Sequence, residues 1–286
     1  MKYTNKQGLP EALYLAIAND PYEKDSDFSA SELPGPIQIW VLRKRYTNEI
    51  TTDVSDLIYP LIGNNTHYIL ERMGIKNGLQ EERLKFKMGN WVVSGKLDFY
   101  DSKKILWDYK VTTRWVLIDG VKPEWESQMN INAWLLRMNN FGVNGANVCA
   151  MFRDWSKIQA MKDPDYPKHQ VVILPVKLWE SQDVWEYVED QIERRIYAKD
   201  LPDIQLPECT PEERWEKPTI YAVMKKGRKS SVRNLFSFDN AQEYIENNQL
   251  DTNTHSIQIR LGESTRCEYY CDVKNFCQQY KRTKED

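Results

Sequence analysis

No apolar run in the 286-residue sequence approaches the ~20 residues that a membrane-spanning helix needs; the longest are stretches such as VVILPV. The opening MKYTNKQGLPEALYLAIANDPYEKD lacks the charged-then-apolar order of a secretory leader, so a cytoplasmic protein is expected. Charge of one sign is also missing. With 39 Lys and Arg against 42 Asp and Glu, the net charge of −3 does not advertise nucleic-acid binding, although a basic groove can coexist with an acidic back. There is no internal repeat and no low-complexity tract. Cysteine is scarce and one-sided: none precedes Cys149, and Cys209, Cys267, Cys271 and Cys277 all lie in the last third. What is there, 41% hydrophobic and 12% aromatic residues, excludes a disordered chain and suffices for one large core or a main domain with a smaller appendage.

The pattern divides the chain in three. Residues 1–52 read as a helical lead-in, with a turn-like NDPYEKDSD and then SASELPGPIQIWVLRKRY, where Ser29 or Ser31 would cap a helix interrupted by Pro34-Gly35-Pro36. Residues 53–200 open with helical spacing through Leu57, Leu61, His67 and Leu70, a kink expected at Pro60 and a stop at Gly74. Strands are expected over about 91–100 and 105–113, then a helix ending at Gly142. Two more strands follow, ANVCAMFRDW, whose Cys149 reads as a core residue, and HQVVILPVKL. A long amphipathic helix, with Val184, Val188, Ile192 and Ile196 at four-residue steps, closes an α/β core with a mixed central sheet flanked by helices. Residues 201–286 read as a small α+β unit: a hairpin over PTIYAVMKKGRKSSVRNLFSF, a helix capped by Asp239, and the strand HSIQIRLG.

The most informative stretch is SGKLDFYDSKKILWDYKVTT, Ser94 to Thr113. Its second strand alternates cleanly, with Asp108, Lys110 and Thr112 on one face and Ile105, Trp107, Tyr109 and Val111 on the other. A second acid, Asp98, precedes it. Two carboxylates converging on one point attract a hard cation such as Mg²⁺ or Mn²⁺, and a lysine beside them can orient an attacking water and stabilise negative charge on a phosphate. An odd-numbered hairpin loop would set Asp98 opposite Asp108; an even one would set it opposite Trp107 unless a bulge intervened.

In order, GNNTHYILE, SGKLD, DYK and QMNIN resemble the PD-(D/E)xK nuclease superfamily, in its RecB-like branch: a helix with G-x-x-x-H-x-x-x-E, a strand with G-x-x-D, then (D/E)-x-K, then a helix with Q-x-x-x-Y. That branch includes AddB-type nucleases, CRISPR-adaptation nucleases and many phage exonucleases. The resemblance implies a restriction-endonuclease-like core. It makes His67, Asp98, Asp108 and the Tyr109 carbonyl the ligands of Mg²⁺ or Mn²⁺. Lys110 would position or deprotonate water, and Gln128 would hold the substrate strand and the lysine. Asn132 stands where the family usually has tyrosine. Glu71, on the His67 face, reads as an ordinary helix-surface charge.

A cluster of four cysteines in a reducing compartment reads as a metal site before it reads as disulfides. Cys267, Cys271 and Cys277 resemble the C-terminal cluster of iron–sulfur RecB-like nucleases, with Cys209 as the fourth ligand, which implies a [4Fe–4S] cluster; tetrahedral zinc is the alternative. Lys225, Lys226, Arg228 and Lys229 at a hairpin tip suit phosphate contact, as do Arg43, Lys44 and Arg45, while Trp107, Trp115 and Trp134 read first as core. The expectation is a metal-dependent DNA exonuclease acting on single- or double-stranded ends in phage or bacterial recombination, repair or replication, with replication or recombination proteins as partners. The alternatives are an end-trimming nuclease of the CRISPR-adaptation type, a catalytically silent DNA-binding protein of the same fold, and a zinc-stapled interaction protein.

Overall fold

The structure, a computed structural model, describes residues 1–19 and 25–285; most of the turn-like NDPYEKDSD lies outside them. The chain begins with β1 (Lys2–Thr4), α1 (Glu11–Ala18), β2 (Phe28–Ser29), α2 (Ile37–Arg45) and β3 (Thr51–Asp53). There follow α3 (Ile58–Glu71), β4 (Gly78–Gln80), β5 (Arg83–Met88), β6 (Trp91–Lys96), β7 (Phe99–Asp101) and β8 (Ile105–Thr112). Next come α4 (Val116–Asp119), α5 (Pro123–Met138), β9 (Gly145–Phe152), α6 (Lys157–Lys162), β10 (Val171–Val176) and α7 (Ser181–Lys199). The last part holds β11 (Glu216–Lys217), β12 (Ile220–Lys225), β13 (Arg233–Leu235), α8 (Phe238–Asn247), β14 (His255–Arg260), β15 (Glu263–Ser264) and α9 (Gln278–Glu285). No helix among the described residues is long and apolar enough to cross a membrane.

Two compact units result: Met1–Gly35 with Thr47–Leu201, and Pro36–Tyr46 with Pro202–Asp286. Helix α2, which the sequence places in the N-terminal lead-in, is therefore part of the second unit. Its residues Ile37 to Leu42 are all buried, as suits a helix covered all round. It follows Pro36 with no side-chain cap, because Ser29 lies instead in β2, paired with Ser94.

The first unit is the mixed α/β core. Its central sheet runs β10-β9-β8-β7-β4, with β8 and β9 parallel and every other pair antiparallel. Parallel strands need a crossover, and α5 supplies it. Through α5, Met129, Ile131, Trp134, Leu135 and Leu136 are almost wholly buried, each such side chain contributing roughly 1.5–3 kcal/mol. The helix ends at Met138, with Asn140 rather than Gly142 taking the left-handed conformation (φ 66°). In β9, Ala146, Val148, Ala150 and Phe152 face inward and Cys149 is half-buried on the opposite face, so it is not a core residue.

Two local differences from the sequence reading position the site. Pro60 falls in the first turn of α3, where its missing N–H has no intrahelical partner, so no kink follows. More importantly, the strand expected over 91–100 is two strands in two sheets. β6 pairs with β5, and β7 pairs with β8. The chain over 78–88, not recognised as strand from sequence, changes sheet at the same level, where Glu81 N–H donates to the Asp98 carbonyl and Leu97 N–H to that of Glu82.

In the second unit β12 pairs antiparallel with β13 and with β14, the hairpin expected from sequence with a third strand on its other side. Helix α8 is capped not by Asp239 but by Ser237, whose hydroxyl accepts from Asn240 N–H at 3.1 Å.

Candidate metal centre and active site

In the β7–β8 hairpin Phe99 faces Trp107 and Tyr100 faces Leu106, so one further step sets Asp98 opposite Asp108. The turn that enforces this register is organised by Asp101. Its carboxylate accepts from the N–H groups of Lys103 and Ile105 (both 2.9 Å) and from the Trp107 indole (3.0 Å). Asp98 then accepts from Tyr109 N–H at 2.7 Å, which locks its carboxylate against β8.

The alternation in β8 runs counter to ordinary patterning. Asp108 (3% exposed) and Thr112 are buried beneath α5, while Trp107, Tyr109 and Val111 are only half-buried. Lys110 Nζ donates to Asp108 Oδ1 at 3.0 Å and to Gln128 Oε1 at 3.4 Å, and Gln128 Nε2 reaches Asp108 Oδ1 at 3.5 Å. Asp108 Oδ2 lies 3.0 Å from the same ammonium but outside hydrogen-bonding geometry, and it is buried without a hydrogen-bond partner. Helix α3 brings the His67 ring to 6.5 Å from that of Tyr109. His67 Nδ1 stands 3.5 Å from Asp98 Oδ1 and 3.4 Å from Glu81 Oε1.

Glu81 was not singled out from sequence. It sits at the sheet crossing in a left-handed conformation (φ 52°), uncommon for a residue with a Cβ, and Lys96 Nζ lies 2.6 Å from its other oxygen. A clue was available in QEER, an acid pair interrupting an otherwise alternating LQEERLKFKM. Glu71 is exposed, so the acid partner of His67 is Glu81 and not the residue one helical turn away.

The electrostatics are those of a site short of positive charge. Burial and the neighbouring Asp108 charge push the Asp98 carboxyl up to about 7, against the opposing pull of His67, the Tyr109 N–H and Lys110. The hydrogen bond to Glu81, helped by Asp98 and Asp108, raises His67 despite its burial. For Lys110 the pull of Asp108 and Asp98 outweighs burial and raises its value, keeping it an ammonium. Among the described residues, His67, Glu81 and Asp98 offer ligand atoms within 4.8 Å of one another. A nitrogen, several carboxylate oxygens and the unpartnered Asp108 Oδ2 fit a hard divalent cation. The cleft they line also receives Gly95, Lys96, Lys110, Gln128 and Asn132. Asn132 presses on Gly95, where a Cβ would come within 2.1 Å of its Oδ1.

The second unit brings Cys209, Cys267, Cys271 and Cys277 to the wall of one small cavity, together with Gln38, Arg214, Arg266 and Lys274. The Cys209 and Cys277 thiols both donate to Gln38 Oε1, at 3.6 and 3.3 Å, and Tyr280 N–H points at Cys277 Sγ (3.4 Å). Burial raises the Cys209 and Cys267 thiols and pushes Cys271 up to about 11. Four soft donors facing one cavity, with three cations and the acid Glu213 in its wall, fit a thiolate-held metal group.

Of the residues expected to meet DNA, Lys225, Lys226, Arg228 and Lys229 lie at the exposed β12–β13 turn. The α2 cations are engaged instead: Arg43 donates to both oxygens of Asp272 (3.0 and 2.8 Å), Arg45 pairs with Asp203, and Lys44 lies over Trp40 at 4.1 Å. Trp134 is fully buried and the Trp107 indole is tied to Asp101, whereas Trp115 is 54% exposed.

No family model and no curated protein matches this sequence. Two solved structures resemble parts of the chain. One is the crystal structure of SSO0001, with 16% identity and a TM-score of 0.45 over 65% of this chain and 87% of that one. The other is an alkaline exonuclease (LHK-Exo) from Laribacter hongkongensis, with 11% identity and a TM-score of 0.37 over 66% of this chain and 93% of that one. Neither likeness, at TM-scores under 0.5, assigns a role to any residue of this chain.

Proposed function

We propose that the protein is a Mg²⁺- or Mn²⁺-dependent DNA nuclease of the PD-(D/E)xK kind, an exonuclease acting on DNA ends in phage or bacterial recombination, repair or replication. It would work in the cytoplasm of a bacterium or phage-infected host, alongside other replication or recombination proteins. The observation that carries this reading is the pair of facing carboxylates, one with a buried oxygen that accepts no hydrogen bond, beside a lysine ammonium 3.0 Å away. A buried acid pair of this kind costs stability unless it holds a charge, and that is poor design for a purely structural hairpin.

His67, Asp98, Asp108 and the Tyr109 carbonyl, joined by Glu81, would hold the cation, which when bound supplies positive charge to a phosphodiester and to the water that attacks it. Lys110, kept protonated against Asp108, stabilises negative charge on the phosphate and orients the water. Gln128 bridges Lys110 and Asp108 and so fixes the direction in which the ammonium points. Cys209, Cys267, Cys271 and Cys277 would hold a [4Fe–4S] cluster, with structural zinc as the alternative. An anaerobic visible spectrum with metal analysis distinguishes a brown iron protein from a colourless zinc one.

The test is cleavage of end-labelled single- and double-stranded DNA with Mg²⁺, with Mn²⁺ and with chelator, wild type beside Asp108→Ala. Metal-dependent degradation absent from the variant is the expected result. If neither protein cuts while both bind DNA, the silent binding protein becomes the better account.

A further inference from the structure

We propose that the C-terminal ends of β8 and β9 form a second nucleic-acid subsite, which grips unpaired nucleotides of the strand whose phosphate lies at Lys110. The inference rests on the nuclease reading and names the form of substrate it takes. In α/β sheets the ends of adjacent parallel strands are where ligands gather, because both chains turn outward there. Here each strand delivers an arginine next. Arg114 follows β8, with its N–H donating to Asp154 Oδ1 at 2.9 Å, and Arg153 follows β9, with its N–H donating to the Thr112 carbonyl at 2.9 Å.

Both guanidiniums lie on aromatic rings that reach solvent. Arg153 stands 3.6 Å from the centroid of Tyr59, and Arg114 5.0 Å from that of Trp115. Tyr59 is 59% exposed and Trp115 54%, so both rings present area to anything that approaches from solvent. On its other side Arg114 also lies 4.9 Å from the Tyr166 ring, so its side chain is held in place rather than loose.

The position relative to the metal centre follows from element geometry. Helix α3 runs along β8, with His67 beside Tyr109 and Tyr59 beside the residue that follows β9. Tyr59 lies eight helical steps before His67, about 12 Å at the rise of an α-helix. Arg114 lies four residues beyond Lys110, just past the end of β8 at Thr112. The roughly 12 Å along α3 matches about four stacked nucleotides. Arg153, with Arg114 (which also lies 3.6 Å from Asp154 Oδ2) and two half-exposed rings, has the composition of a single-strand platform: a guanidinium for phosphate, rings for bases of any sequence. A duplex keeps its bases stacked on each other and offers such rings nothing.

The experiment uses the full chain in an Asp108→Ala background, so that substrate survives, and measures fluorescence anisotropy of labelled oligo(dT) and of a blunt duplex. Trp115→Ala should weaken oligo(dT) binding about five- to hundredfold, in keeping with the loss of one stacked base, and change duplex binding less than twofold. Trp115→Phe, which keeps a stacking face, should restore most of the affinity and thereby exclude misfolding. Arg153→Gln should lower the salt dependence of oligo(dT) binding by about one phosphate contact. Unchanged oligo(dT) binding in Trp115→Ala, or equal loss on single strand and duplex, would overturn the subsite alone. An Asp108→Ala parent that binds neither DNA would overturn the nuclease reading, and the subsite with it.

Discussion

The two candidate metal-holding regions solve opposite problems. In the first unit, oxygen and nitrogen donors line a cleft, where burial and then the facing Asp108 charge raise the Asp98 carboxyl to about 7. In the second, four thiols face a small cavity, two of them hydrogen-bonded to one glutamine. The first is electrostatically loaded, and an exchangeable cation would relieve it. The second is more enclosed, and a metal held there would stabilise the unit by joining Cys209 to the chain end. A site that does chemistry must stay accessible and pays in repulsion; one that only staples need not.

The sharpest way to break that comparison is a cross of variants. Asp108→Ala should lower cleavage by about a thousandfold or more and leave the cysteine-held metal in full occupancy. Cys277→Ser should do the reverse to the metal content and lower the melting temperature by at least about 5 °C, read by metal analysis and calorimetry. A Cys277→Ser protein with unchanged metal and unchanged melting would dissolve the distinction.

Glu81→Gln gives a smaller effect. It removes one charge that faces both His67 and the cation and should weaken Mn²⁺ binding by at least about 10-fold by titration calorimetry, the least expected when a carboxylate at a metal site is lost.

The pH dependence sharpens the comparison further. The Asp98 carboxyl, raised above its ordinary 3.8, keeps its proton up to about pH 7. Its contribution to metal-free stability is therefore present at acid pH and lost as pH rises toward 7, while a cation must displace that proton. Since His67 is raised too and must also lose its proton, Mn²⁺ affinity should thus climb by at least about tenfold per pH unit between 5.5 and 7, with no comparable change in cysteine-held metal. A flat affinity across this range would mean that Asp98 is already ionised. The smallest effect belongs to the exposed basic turn: replacing Lys225, Lys226, Arg228 and Lys229 with alanine should weaken DNA binding at low salt and flatten its salt dependence without changing the cleavage rate at saturation.

How much of this was legible beforehand varies by residue. The order of His67, Asp98, Asp108, Lys110 and Gln128 could be read directly, because short motifs on a helix and a hairpin keep their spacing wherever the fold places them. Glu81 could not, because its role comes from two strands changing sheet at one level, a long-range event that leaves only the acid pair of QEER as a trace. Trp115 and Trp134 look alike in a sequence, yet one is exposed beside Arg114 and the other fully buried. Helix α2 reads as part of the lead-in because it is near it in the chain, whereas packing assigns it to the second unit.

By itself the sequence determined the donor chemistry: hard oxygen and nitrogen ligands in one stretch, soft sulfur in another, and a lysine two residues from an acid. Spacing along a local element is enough for that. Only the tertiary structure decided the hairpin register that sets Asp98 against Asp108, the burial that raises Asp98, the arrival of Glu81 and the gathering of four cysteines around Gln38. Each depends on contacts between residues far apart in the chain, whose closure no local pattern encodes.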